Sequence, residues 1–140
     1  MTLIDAMAGY PNPTGELLQE AQRVFVEDAK VATVISIGSG KKKASDLPAR
    51  DDQNALVEAV KDVVINAEIT HKELETRLNE AHLYFRFNVP HDLGSRVDSS
   101  GIYSYTSTYL GEADTNKRLN EAIKSMRTRS GGMTLKELSK

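Results

Sequence analysis

The sequence predicts an α/β fold in which a mostly parallel central sheet is flanked by helices. The stretch VATVISI at residues 31–37 is an almost unbroken apolar run rich in β-branched residues, which is typical of a strand covered on both faces. Segments with apolar residues at helical spacing precede and follow this run. Strands and helices therefore alternate along the chain, as they do in parallel-sheet proteins.

The composition is that of an ordinary globular domain. The chain has 140 residues, of which 39% are hydrophobic and 27% charged, and its net charge is −2, so nothing favours binding to nucleic acid. The sequence contains no cysteine, which excludes a disulfide framework and a thiol nucleophile. It shows neither a transmembrane-length apolar run nor a signal peptide. We expect a cytoplasmic protein, with a peripheral position at membranes left open.

The first half of the chain predicts a strand, a helix, a second strand and a second helix. A short strand is expected at residues 2–6, followed by a loop containing two prolines, because proline disfavours helical backbone in the residue before it. Thr14 is placed to cap the first helix. The strand at residues 31–37 ends in a polar loop, and the next helix is predicted over residues 52–67.

A third helix and a third strand are predicted next. Thr70 and Glu73 form a capping-box pattern, which favours a new helix beginning at this point. The stretch LYFRFNV at residues 83–89 alternates apolar residues with Tyr84, Arg86 and Asn88. This alternation predicts a half-exposed strand whose polar face carries those three side chains.

The end of the chain predicts one last helix and a tail. The helix is expected over residues 112–126, after a loop at 90–101 and a tyrosine-rich stretch. From Ser130 onward, two adjacent glycines favour a frayed tail, although Thr134 and Glu137 have the spacing to cap one more turn. The predicted domain therefore covers residues 1–129, and residues 130–140 form the tail.

No cofactor or metal site is predicted. Glycines after an apolar strand, as in GSGKKK at residues 38–43, can form a phosphate cradle, but this stretch matches neither the P-loop nor the dinucleotide fingerprint. A plain strand-to-loop turn with solvated lysines is the favoured interpretation. The three histidines lack metal-ligand spacing and are expected at the surface or at helix ends; they are His71, His82 and His91.

Several stretches carry a family resemblance. The chain has an acidic turn, a proline-asparagine loop and a helix with a Glu-Ala pair, then a strand ending in Ser-x-Gly-x-Gly, and later YFRFNV and a Tyr-Leu pair. In this order and spacing they resemble the C-terminal part of the patatin-like phospholipase domain, especially its fungal versions. The matching positions are Asp5-Ala6-Met7, Pro11-Asn12-Pro13, Glu20-Ala21, Ser36-Ile37-Gly38-Ser39-Gly40, residues 84–89 and Tyr109-Leu110.

The resemblance implies both a fold and an activity. The fold would be part of a three-layer sandwich with helices on both sides of the sheet. The activity would be that of a lipid acyl hydrolase, acting on lipid or fatty-acyl esters in lipid degradation through a Ser-Asp dyad that requires neither cofactor nor metal. By position, Asp5 corresponds to the dyad aspartate.

The nucleophile of that dyad is missing from these residues. None of the nine glycines belongs to a Gly-x-Ser-x-Gly elbow, and only four residues precede Asp5, so we expect a fragment that is inactive alone. One alternative is a non-catalytic binding or regulatory module that self-associates through unpaired strand edges. For Asp5 itself, the alternative is a loop cap or an ion pair with a basic neighbour.

Overall fold

The computed structural model describes most of the chain, namely residues 12–41, 54–78, 81–91, 93, 97–128 and 132–138, with backbone only at 54–65. The predicted strand at residues 2–6 and the predicted catalytic residue Asp5 lie outside the described residues. The described elements are α1 (Thr14–Val24), β1 (Lys30–Val31), β2 (Val34–Ile37), α2 (Asn54–Leu78), β3 (Tyr84–Phe87), α3 (Ser99–Gly111), α4 (Ala113–Thr128), β4 (Met133–Thr134) and α5 (Leu135–Leu138).

The architecture mixes helix and strand, in agreement with the α/β class. Within the described residues, the strands form two sheets of two strands each, one pairing β2 with β3 and the other β1 with β4. The β2–β3 pair is parallel, with Val34 opposite Tyr84 and Ile37 opposite Phe87. Helix α2 lies between these two strands in the chain, and a connection of this kind is what parallel strands require.

The hydrophobic core lies on one face of the β2–β3 pair. Helices α1, α2 and α5 all contribute leucines to it, and Leu78 and Leu138 are almost completely buried. The buried members of this cluster are Leu18, Val34, Leu74, Leu78, Tyr84, Leu135 and Leu138. The core therefore joins elements from both ends of the described chain.

The two sheet strands differ from the predicted burial in opposite ways. One strand covered on both faces was expected at residues 31–37, but the structure divides this stretch between β1 and β2, which belong to different sheets. In β2, Ile35 is exposed and Ile37 is 82% exposed. Strand β3 was expected to have a solvated polar face, but Tyr84 and Arg86 are buried. Both predictions were wrong because residue pattern reports local hydrophobicity, whereas burial depends on which neighbours lie above and below the sheet.

Two helix boundaries also differ from the predictions. Helix α2 runs without a break through Thr70, so the capping-box pattern there does not begin a new helix. Helix α3 occupies the tyrosine-rich stretch and begins inside the predicted loop. Asp98 caps it by accepting a 2.8 Å hydrogen bond from the backbone N–H of Gly101, and the Asp98 carboxyl has a lowered pKa, chiefly because of that bond.

Residues 132–138 are packed rather than frayed, so the prediction of a frayed tail was wrong for them. Strand β4 pairs antiparallel with β1, and Leu135 and Leu138 are buried in the core. The predicted cap of an extra turn is confirmed. Glu137 accepts a 2.7 Å hydrogen bond from the backbone N–H of Thr134, whose hydroxyl accepts one of 3.3 Å from the N–H of Glu137.

None of the described helices combines the length and the apolar character needed to cross a lipid bilayer.

Candidate functional site

A buried polar cluster joins three of the stretches that carry the family resemblance. Asn12 comes from the proline-asparagine loop, Ser36 from the strand before the glycines and Arg86 from YFRFNV. All three side chains are buried. Asp5, the residue predicted to be catalytic, lies outside the described residues, but Asn12 belongs to the same motif-bearing stretch and reaches this cluster.

Hydrogen bonds connect the cluster from the sheet to the start of α1. Arg86 Nη1 donates a 2.7 Å bond to Ser36 Oγ, and Ser36 Oγ lies 3.5 Å from Asn12 Oδ1, to which it donates. Thr14 Oγ1 donates a 2.7 Å bond to the same Asn12 oxygen. The side-chain oxygen of Asn12 thereby joins the hydroxyls of Thr14 and Ser36, and Ser36 extends the network to the guanidinium of Arg86.

The backbone explains why these side chains meet. Ser36 and Arg86 are paired residues in the parallel ladder, so their side chains leave the same face of the sheet. Asn12 Oδ1 accepts a 3.4 Å hydrogen bond from the backbone N–H of Thr14, which forms a local turn that asparagine favours. Asn12 Nδ2 donates a 3.4 Å hydrogen bond to the carbonyl of Ala67 in α2.

The predicted cap of α1 was wrong. Pro13 occupies the capping position and makes no side-chain hydrogen bond there. Thr14 is instead the first helical residue, and its hydroxyl is directed to Asn12. The first residue of α1 is therefore hydrogen-bonded to the polar cluster, and the helix has no side-chain cap of its own.

Helix α2 adds a histidine to the edge of this cluster. The ring centroid of His71 lies 5.7 Å from that of Tyr84, and Nε2 lies 3.9 Å from a carboxylate oxygen of Glu75. Burial is the main reason that the pKa of His71 is lowered, with Arg86 and Arg118 adding to the effect. The nearby carboxylates of Glu75 and Glu68 oppose the shift.

Three buried atoms of this region have no hydrogen-bond partner. They are His71 Nδ1, Tyr84 Oη and Arg86 Nε, and they are the unpartnered buried side-chain atoms found among the described residues. Each such atom costs about 1–3 kcal/mol when it is left unmet. Arg86 also has no carboxylate within ion-pairing distance among the described residues, although the residue is only 9% exposed.

Ser36 is not set up as a nucleophile. Its hydroxyl accepts a hydrogen bond from a guanidinium and faces an amide oxygen. Across the described part of the chain, neither a carboxylate nor an imidazole contacts this hydroxyl, so no base is placed to remove its proton. Within the described residues, the Ser36 hydroxyl is therefore engaged in structural hydrogen bonds.

The glycine turn after β2 is structural. The N–H of Gly38 donates to the carbonyl of Phe87 at 2.8 Å, and that of Gly40 donates to Asn88 Oδ1 at 2.9 Å. The N–H of Lys41 is also used, by the carbonyls of Val89 and His91. These amides are therefore not free to hold a phosphate, in agreement with the plain-turn interpretation.

Asn88, which accepts the hydrogen bond from Gly40, also contacts the Tyr-Leu pair that belongs to the resemblance. The backbone N–H of Asn88 donates a 3.3 Å hydrogen bond to the hydroxyl of Tyr109 in α3, so YFRFNV contacts the Tyr-Leu pair. Gly40 has a positive φ of 99°, a conformation that glycine adopts without strain. Lys41 is not a free cation, because its Nζ lies 3.6 Å from Glu68.

Sequence reasoning missed Arg86, Tyr84 and His71. Alternation placed Arg86 and Tyr84 on a solvated face, and His71 was expected at the surface or at a helix end. His71 instead lies inside α2 with its ring against Tyr84. No local signal marked Arg86, because its aromatic neighbours Phe85 and Phe87 leave the opposite face of the strand.

No group of His, Asp or Glu side chains suited to a metal ion is found among the described residues. Comparison of the chain with protein-family models, with curated proteins and with solved structures finds no match.

Proposed function

We propose that this chain is the C-terminal part of a patatin-like lipid acyl hydrolase, in which Asp5 is the aspartate of a Ser-Asp dyad. The fold would be part of a three-layer sandwich with a mostly parallel central sheet. The observation that supports the proposal is the hydrogen-bonded contact of Asn12, Ser36 and Arg86, one residue from each of three stretches that carry the resemblance.

The contact agrees with the proposal, because three motifs of one domain are expected to pack against one another. The parallel β2–β3 pair with α2 between its strands also suits an open α/β sheet, in which catalytic groups lie beyond the carboxyl ends of the strands. Asp5 lies at the end of the strand predicted at residues 2–6 and precedes the Asn12 loop, which is the kind of position that a dyad aspartate would occupy.

The substrate class would be a lipid or fatty-acyl ester, and the work would be lipid degradation in the cytoplasm or at a membrane surface. Asp5 would orient or deprotonate a serine in a Gly-x-Ser-x-Gly elbow. The 140 residues contain no such elbow. The serine and the oxyanion donors would therefore come from sequence outside them, and the dyad needs neither cofactor nor metal.

The decisive experiment begins with the reading frame upstream of Met1. We expect it to encode a glycine-rich loop and a Gly-x-Ser-x-Gly elbow, and the longer chain to hydrolyse a p-nitrophenyl ester and react with a fluorophosphonate. Asp5→Asn should lower turnover by several powers of ten. Asp28→Asn, which changes an exposed turn aspartate, should leave it unchanged.

The same reagents applied to the 140 residues alone should give neither turnover nor labelling. Saturable fluorophosphonate labelling of this chain would contradict the proposal, since a nucleophile would then be present. An upstream frame without an elbow, or a longer chain whose activity survives Asp5→Asn, would contradict it as well.

The second candidate is a non-catalytic module that self-associates through a strand edge. Within the described residues, β2 pairs with β3 alone, and Ile37 at the end of β2 is exposed. Light scattering coupled to sizing should then show oligomers that Ile37→Lys dissociates and that Val26→Lys, at another exposed apolar position, does not. A sharp wild-type monomer at high concentration would contradict this candidate.

A further inference from the structure

We infer that the edge of β2 that faces away from β3 is the docking edge for residues 2–6 of the same chain, which add to it as a third parallel strand. The strand order would then be residues 2–6, β2 and β3. Residues 2–6 lie outside the described residues, and the inference is argued from the elements around them. It concerns how the chain folds, so it goes beyond the proposed activity and does not depend on it.

The backbone of β2 presents hydrogen-bonding groups on the side away from β3. The N–H groups of Val34 and Gly38 donate to carbonyls of β3 and of the residue before it, over 2.7 and 2.8 Å. Because consecutive N–H groups of a strand point to opposite edges, those of Ile35 and Ile37 point away from β3. In the part of the chain that the structure describes, no strand pairs with this edge. Natural proteins cover or protect such edges.

Helix α1 runs in the same direction as α2. Just before α1, Asn12 donates a 3.4 Å hydrogen bond to the carbonyl of Ala67, and farther along α1, Leu18 lies in one cluster with Leu74 and Leu78. Positions therefore advance along both helices together. Since α2 leads from the carboxyl end of β2 to the amino end of β3, both helices run opposite to the strands. A strand that leads into α1 would accordingly end at the carboxyl end of the sheet, parallel to β2.

The shared face of the two helices decides which edge that strand joins. Leu18 of α1 and Leu74 of α2 pack in the same cluster as the paired residues Val34 and Tyr84, so both helices cover one face of the sheet. Connections between parallel strands are right-handed in about 98% of cases. Two connections of one hand place their helices on the same face only if the chain crosses the sheet in the same direction both times.

The direction of the second crossing is known, because the chain moves from β2 to β3 through α2. The first crossing, through α1, must therefore arrive at β2 from the side away from β3. A strand beyond β3 would place α1 on the opposite face, where Leu18 would not reach the cluster that it shares with α2.

Residues 2–6 have the sequence and the reach for this position. They read TLIDA, where the sequence predicts a short strand. Asn12 lies against β2, with its Oδ1 3.5 Å from Ser36 Oγ. Residues 7–11 connect the two and allow a span of up to about 20 Å, whereas neighbouring strands lie only about 4.8 Å apart. Asp5 would then lie at the carboxyl end of the sheet, beside the end of β2.

The test is NMR spectroscopy on the folded 140-residue chain. The edge amides, those of Ile35 and Ile37, report on the docking edge, and the ladder amides, those of Val34 and Gly38, report on the sheet itself. We expect the edge amides to exchange with solvent at least about tenfold more slowly than in an unfolded chain. We also expect nuclear Overhauser contacts between the edge amides and residues 2–6, at a strength that dilution does not change.

Leu3→Pro and Ile4→Pro, made separately, each remove one amide donor. Because consecutive N–H groups alternate, one of the two donors faces β2 in any register, and the other faces outward, where proline is tolerated. We expect one variant to speed exchange of the edge amides by about tenfold and to leave the ladder amides protected. The control Ile4→Val keeps both the donor and a β-branched side chain and should behave as the wild type does.

Three results would overturn the inference. Edge amides that exchange at the unfolded rate while the ladder amides stay protected would show an open edge. Protection of the edge amides without contacts to residues 2–6, or protection that neither proline variant lowers, would assign the edge to another segment. Protection that falls on dilution would show that a second copy of the chain occupies the edge.

The contacts in the wild type decide the matter even where a proline variant does not fold. None of these measurements involves ester hydrolysis, so failure of this inference is distinguishable from failure of the dyad proposal.

Discussion

Ser36 and Arg86 are paired residues of the parallel β2–β3 ladder, and their side chains are joined by a 2.7 Å hydrogen bond inside the protein. This bond links a strand before α2 to the strand after it. Because Asn12 contacts the same serine, the bond also connects the sheet to the start of α1. A small hydroxyl thus holds together three segments that are far apart in sequence.

Ser36→Ala should destabilise the fold, because it leaves the buried Arg86 Nη1 without its acceptor. Hydrogen bonds to charged groups contribute about 1.5–3 kcal/mol, so we expect a loss of about 2 kcal/mol in the free energy of unfolding, measured with urea. Ser104→Ala, on the exposed side of α3, should change it by less than about 0.5 kcal/mol. Equal free energies of unfolding for the two variants would show that the hydrogen bond between Ser36 and Arg86 does not stabilise the fold.

Gly38→Ala should also destabilise, for a steric reason. A β-carbon at Gly38 would overlap the side-chain amide of Asn88, which cannot move away without breaking its 2.9 Å bond to the N–H of Gly40. We expect a loss of about 1–3 kcal/mol in urea unfolding. Gly15→Ala places its methyl group in open space within α1 and should be neutral or stabilising by up to about 1 kcal/mol. A tolerated Gly38→Ala would mean that Asn88 is free to turn.

Leu138→Ala tests whether α5 belongs to the core. Leu138 is 1% exposed and lies in the same cluster as Leu18 and Leu74, so its truncation should cost about 2–5 kcal/mol. Leu17→Ala makes the same change at a side chain that is 62% exposed, and its cost should stay below about 1 kcal/mol. Thermal unfolding of both variants measures the difference, and a frayed C-terminus would make the two variants alike.

The lowered pKa of His71 predicts a loss of stability in acid. The ordinary value is 6.5, and the folded value lies below it, chiefly because of burial. The unfolded chain therefore binds the proton more tightly than the folded chain. The contribution of neutral His71 to the free energy of unfolding should be complete above about pH 6.5 and should decline as the pH falls through the folded pKa of His71.

Urea unfolding from pH 7.5 down to 5 measures this dependence. His71→Asn should flatten the decline, because it removes the titrating ring. His82→Asn, at an exposed position with a positive φ that asparagine tolerates, should keep it. A His71→Asn variant with the full wild-type decline would assign the pH dependence to other groups.

The elements with strong local signals were predicted well. A helix forms at Thr14–Val24, where apolar residues at helical spacing predicted one, although Leu17 and Val24 are exposed. The reciprocal cap of Thr134 and Glu137 forms as its spacing indicates. Glycines 38 and 40 form the expected turn. In each case the interactions that decide the conformation lie within a few residues, so a short window of sequence contains the necessary information.

The candidate site was predicted only in part. Asn12 and Ser36 belong to stretches chosen for their resemblance, but the contact between Ser36 and Arg86 spans 50 positions and follows from strand register. Arg86 was assigned to solvent because alternation in a strand does not reveal whether a second layer covers the polar face. Helix α2 supplies that layer, and its packing is a property of the folded chain.

The sequence by itself determined the turn at Gly38 and Gly40, the reciprocal cap of Thr134 and Glu137 and the mixture of helix and strand, because the residues that decide these features are near neighbours in the chain. Tertiary structure decided which face of each strand is buried, that residues 132–138 join the core, and that a serine, an asparagine and an arginine meet. Those outcomes depend on contacts between segments far apart in the chain, whose free energies appear only when the elements pack together.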